Sequence, residues 1–147
     1  MNKPLVATLL TSAILTLAAP SIGAPPNVSV TGAGTLVFRS EGTVHVTVSA
    51  HKPADAPEEE GTGNVTIKFP GEPAVHGTVD CLSVEGDNAG VSGQLDNGQF
   101  FFITITDGEQ TGVPDRADVR RLVATRQFCP AKHGSDDIIN GNFQVRG

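Results

Sequence analysis

Four carboxylates, Asp107, Glu109, Asp115 and Asp118, fall within twelve residues, and Gly108 and Gly112 lie among them. A calcium ion takes about six to eight oxygen ligands, and acidic loops of extracellular modules supply them at roughly millimolar affinity. The spacing matches no EF-hand or repeat-type calcium motif, so a second reading competes with metal binding. In it, Asp107-Gly108 is a turn, and Asp115 with Arg116 holds a corner through backbone hydrogen bonds or an ion pair. Turn chemistry is the preferred expectation; calcium is the alternative, and no other cofactor is implied.

Cys81 and Cys129 are the only cysteines. An even count in an oxidising compartment reads as one disulfide. Closing a loop of about 49 residues stabilises a fold by roughly 4 kcal/mol on the chain-entropy account. The alternative, a reactive thiol or metal pair, has no CxxC motif or Cys/His cluster behind it. His45, His51, His76 and His133 are too few and too scattered for the copper/zinc site of secreted dismutases, and His76 is expected to make a structural hydrogen bond. The G-x-S-x-G and H-E-x-x-H patterns are absent and no S-x-x-K site is expected, so no catalytic residue is nominated and the chain is expected not to be an enzyme. Glu58, Glu59 and Glu60 read as a solvated charge run, and Arg116, Arg120, Arg121 and Arg126 as partners for nearby acids.

The segments that position these groups alternate with period two. Val44, Val46 and Val48 share one face against His45, Thr47 and Ser49; Val65, Ile67 and Phe69 repeat the pattern, as do Ala89, Val91 and Leu95. Turn residues at 40–42, 70–73, 85–88 and 96–98 separate such runs, and Asn97-Gly98 suits a type I′ hairpin. Parity breaks between Cys81 and Leu82, which predicts a bulge or corner there. Gln99 to Thr106 is apolar on both faces and reads as a central strand. Residues 51–62 and 107–118 read as long polar connections, and Ala117 to Ala124 reads as a strand in preference to a short helix. The expectation is an all-β domain of about eight antiparallel strands, in a β-sandwich or small barrel, with one disulfide.

Residues 1–24 carry Lys3, then an uncharged run from Leu5 to Ala19, then small residues, the pattern of a cleaved signal peptide. Residues 25–147 then form a single secreted domain, extracellular, or periplasmic in a host with an outer membrane. The net charge of −6 becomes −7 once Lys3 is removed, which disfavours nucleic acid and anionic membranes as partners. No second long apolar run follows, so no membrane insertion is expected after signal removal. Trp and Tyr are absent and the seven Phe lie in or beside apolar strands, which argues against an ordinary sugar-binding module.

Three stretches, VHGTVDCLSVEGDNA (75–89), FFFITITDGEQTGVPDR (100–116) and GNFQV (141–145), resemble in this order a group of uncharacterised secreted bacterial β-domains. That group shows V-H-G-x-V before a cysteine and a G-N-x-A turn, T-D-x-G-E leading into P-D-R, and a closing G-N-x-x-V strand. Here Asp87 is inserted between Gly86 and Asn88, and Gln110 follows Glu109 where the group often has proline. The resemblance implies a secreted β-domain, alone or at the end of a longer surface protein, without a settled activity. It also matches Cys129 to a late cysteine of the group, which implies pairing with Cys81. The functional expectation is a secreted non-catalytic β-sandwich module with an interaction or structural role at the cell surface or in the medium, its partner a protein or envelope component. The alternative is a small-molecule or calcium binder.

Overall fold

The structure is a computed structural model that describes residues 26–37, 42–122, 125, 126 and 128–147. Residues 1–24, read above as a signal peptide, the turn at 40–42 and the end of the 117–124 run lie wholly or partly outside them. Eight strands form: β1 (Asn27–Val37), β2 (Thr43–Pro53), β3 (Thr62–Lys68), β4 (Val75–Glu85), β5 (Asn88–Leu95), β6 (Phe100–Thr106), β7 (Arg116–Leu122) and β8 (Asp136–Arg146). Each pairs antiparallel with its neighbour in sequence, and β8 returns to pair with β1 from Ser29↔Arg146 to Leu36↔Ile138. This last pairing leaves no terminal edge between β8 and β1, so the sheet closes into an up-and-down barrel and the sandwich alternative falls.

Alternation decides what the barrel contains. On β2, Val44, Val46, Val48 and Ala50 point inward and are buried, while His45, Thr47 and Ser49 face out. Val30 and Leu36 of β1, Val65 and Ile67 of β3, Phe101, Ile103 and Ile105 of β6 and Phe143 of β8 fill the same interior. Phe143 lies against β1, where a Cβ at Gly34 would stand 2.7 Å from its ring. The polarity is the reverse of a membrane barrel, which is apolar outside. Among the described residues no helix is long and apolar enough to cross a membrane.

The parity break in β4 is a bulge. Val79 faces Gly93 and Cys81 faces Ser92, so Asp80 is the extra residue. Leu82 then enters the core while Cys81 turns to the outer wall, as a bulge allows. Ala117 to Leu122 is strand, as expected. The connection read at 51–62 is shorter than expected, because His51 pairs with Thr62 and Ala50 with Gly63, leaving a 3-10 turn, Glu58–Glu60, inside it. The Asn97-Gly98 hairpin also differs: Gly98 N donates to Leu95 O (2.9 Å) and Leu95 N to Gln99 O (2.7 Å). Gly98, at φ 85°, is therefore the left-handed third residue of a three-residue loop with a bulge, not half of a two-residue type I′ turn.

Candidate interaction site

The disulfide joins Cys81 to Cys129 across a Cα–Cα distance of 5.9 Å and holds residues 128–134, which follow β7, as a strap on the outer wall. Its backbone passes so close to β5 that a Cβ at Gly90 would overlap the carbonyl oxygens of Cys129 and Pro130. The outward-facing neighbours Ser92 and Thr104 are buried as a result, and Thr104 Oγ1 has no protein partner among the described residues. Arg126 anchors one end through Nε to Asp80 Oδ2 (3.3 Å) and Nη2 to the Asp80 carbonyl (3.2 Å). At the other end Gly134 N donates to Thr106 Oγ1 (2.9 Å), whose own hydroxyl donates to Asn88 Oδ1 (2.8 Å).

The acidic loop at 107–118 closes the barrel seam. β7 pairs with β8 only at Arg116↔Asp137 and Ala117↔Asp136, so the rest of β8 runs past its neighbour. Asp115 and Asp107, each 7% exposed, take the place of the missing strand. Asp115 accepts from Gly108 N (2.9 Å) and Phe143 N (2.6 Å), and Asp107 from Glu109 N (3.0 Å) and Val145 N (3.0 Å). All four carboxylate oxygens thus face N–H groups, a surrounding of opposite demand to a cation. Glu109 is exposed, Asp118 accepts from Arg120 Nε (3.1 Å), and Arg116 pairs with Asp137 rather than with its neighbour Asp115. Among the described residues, three ligating atoms of His, Cys, Asp or Glu come within 4.8 Å of one another only at Glu58, Cys81 and Cys129. Both sulfurs there belong to the disulfide, so neither is available as a thiolate.

The histidines are spread around the wall, each beside a threonine hydroxyl. His45 and His76 meet Thr35 and Thr66 through Nδ1 at 2.8 and 2.9 Å, His51 meets Thr62 through Nε2 at 3.3 Å, and His133 lies 3.5 Å from Thr106. The first three are directly opposed cross-strand pairs, the unit by which sheets gain side-chain stabilisation. Contrary to the expectation that S-x-x-K is absent, Ser49-Ala50-His51-Lys52 has that spacing. On a strand, that spacing sends Ser49 out and Lys52 in, and Lys52 Nζ instead caps the carbonyls of Ala56 (2.7 Å) and Pro53 (3.4 Å).

No protein-family model, curated protein or solved structure matches the chain.

Where the strap meets the Glu58–Glu60 turn, the wall opens into a cavity of about 190 Å³ lined by Glu59, Cys81, Arg126 and Phe128. The turn sits hard against β4, since a Cβ at Gly61 would stand 2.7 Å from that of Leu82. Its three glutamates are exposed, with no basic residue in the turn, and a Glu58 carboxylate oxygen lies within 4.8 Å of both disulfide sulfurs. Phe128 is 85% exposed, the most exposed large apolar residue described. The expectation that all seven Phe lie in or beside apolar strands does not hold for Phe128. Its sequence signal is slight: an aromatic next to a cysteine, in a stretch without alternation.

Proposed function

We propose that the chain is a secreted, non-catalytic binding module whose barrel presents a partner-contacting patch on its outer wall, at the strap and the acidic turn. The observation that carries this is Phe128, held 85% exposed beside a cavity by the adjoining disulfide. Aromatic side chains, Phe among them, are enriched at the cores of protein interfaces relative to the rest of the surface. Secretion is supported by the signal-like residues 1–24, by the disulfide and by the resemblance to secreted β-domains. The non-catalytic reading is supported by the engagement of Asp107, Asp115 and the histidines in bonds that hold strands together.

The test is site-specific photocrosslinking of the exported chain in its own culture, with benzoylphenylalanine at position 128 and, separately, at Thr47 on an exposed part of β2. A discrete adduct at 128 and none at 47 is expected. Adducts at both positions, or at neither, would refute the patch.

A further inference from the structure

Resting on that reading, we infer that the patch takes a segment of a partner protein in which one large apolar side chain is flanked by lysine or arginine. The cavity of about 190 Å³ lies below the roughly 300–1,000 Å³ of pockets that enclose small molecules, and matches a single large side chain. Phe128 offers that side chain an aromatic face to pack on. The charge at the mouth then selects its neighbours. Glu58, Glu59 and Glu60 stand together on the turn, and the only described cation lining the cavity, Arg126, is already neutralised by Asp80.

The geometry sets the spacing. Glu59 and Phe128 line the same small cavity, so the cation and the apolar group must be adjacent in the bound segment. A lysine or arginine there approaches the carboxylates, and its charge also lies near the Phe128 ring, where cation–π attraction adds to the ion pairing. An acidic segment would meet three like charges, which gives selectivity by repulsion as well as by attraction.

The experiment follows the amide resonances of the folded, disulfide-bonded chain while three capped tripeptides are added: Lys-Phe-Lys, Lys-Ser-Lys and Glu-Phe-Glu. Lys-Phe-Lys is expected to shift residues of the strap, the 58–60 turn and the Cys81 region, at millimolar concentration. The other two are expected to bind at least tenfold more weakly. Phe128→Ser should weaken Lys-Phe-Lys about tenfold or more, and the triple variant Glu58→Gln, Glu59→Gln, Glu60→Gln about tenfold, with a loss of salt dependence. Both variants alter exposed side chains, and unchanged spectra elsewhere show that the fold is kept. Equal shifts from Glu-Phe-Glu would overturn the charge inference and leave the apolar patch standing. Equal shifts from Lys-Ser-Lys would overturn the role of the cavity. Absence of shifts from all three, or concentration-dependent dimerisation that buries Phe128, would overturn both this inference and the patch.

Discussion

Replacing Asp115 by alanine tests whether two buried carboxylates really stand in for a missing strand. Asp115 is 7% exposed and accepts from two backbone N–H groups, Gly108 at 2.9 Å and Phe143 at 2.6 Å. Truncation leaves both donors buried without a partner, at about 1 to 3 kcal/mol each. The expected loss is therefore about 4 kcal/mol, a large share of the roughly 5 to 15 kcal/mol that holds a domain together. For a domain of this size it lowers the thermal midpoint by about 15 °C. Asp118→Asn is the matched control, because its bond to the exposed Arg120 is a surface pair worth about 0 to 1 kcal/mol. Urea unfolding of both variants gives the difference, and an unchanged slope shows that the same surface is exposed on unfolding. Hydrogen exchange adds position: the Phe143 amide should lose protection before the amides of β2. If Asp115→Ala unfolds within 1 kcal/mol of the parent, the seam does not depend on this carboxylate. A difference that vanished in chelator would instead mean that Asp115 acts through calcium.

Gly90→Ala should destabilise by about 2 to 3 kcal/mol and loosen the strap, because the new methyl meets the Cys129 and Pro130 carbonyls; a proteolysis assay should find new cleavage between 125 and 135. Intact mass should show two thiols only after reduction, and Cys81→Ser with Cys129→Ser should cost about 2 to 4 kcal/mol in denaturant unfolding. Millimolar calcium should leave the melting midpoint where chelator leaves it, since the oxygens of Asp107 and Asp115 already face donors; a rise of several degrees would show a site that these bonds do not exclude.

Local features were legible in the residues because strands write their two faces into alternate positions. Val44, Val46 and Val48 identified the core side of β2, and the parity break at Cys81 located the bulge that turns its sulfur outward. Closure was not legible: whether β1 meets β8 depends on the summed tilt of eight strands, which no local pattern encodes. The Asp96–Gly98 turn was misread by one residue because an Asn-Gly pair serves a two-residue loop and a three-residue bulged loop alike. At the seam, Asp107 and Asp115 accept from backbone N–H groups, which their turn residues suggest. Their partners on β8 could not be named without knowing that β8 outruns β7. Phe128 was missed because its exposure comes from a strap pinned by Cys129, a tertiary constraint, and not from its neighbours in sequence.

The pairing of β1 with β8 also sets the order in which the molecule can be completed. Ser29 and Arg146 lie opposite each other although they are 117 positions apart in the chain. During synthesis one side of β1 therefore stays unsatisfied until almost the whole described chain has emerged. Long-range closure of this kind is slow compared with hairpin formation, because the entropy of joining distant segments is lost before their contacts form. Successive hairpins can form and melt while the chain lengthens, but the cylinder cannot lock. A polypeptide with this delay built into its topology stays threadable for longest, a useful property if it must cross a membrane through a narrow channel before it folds.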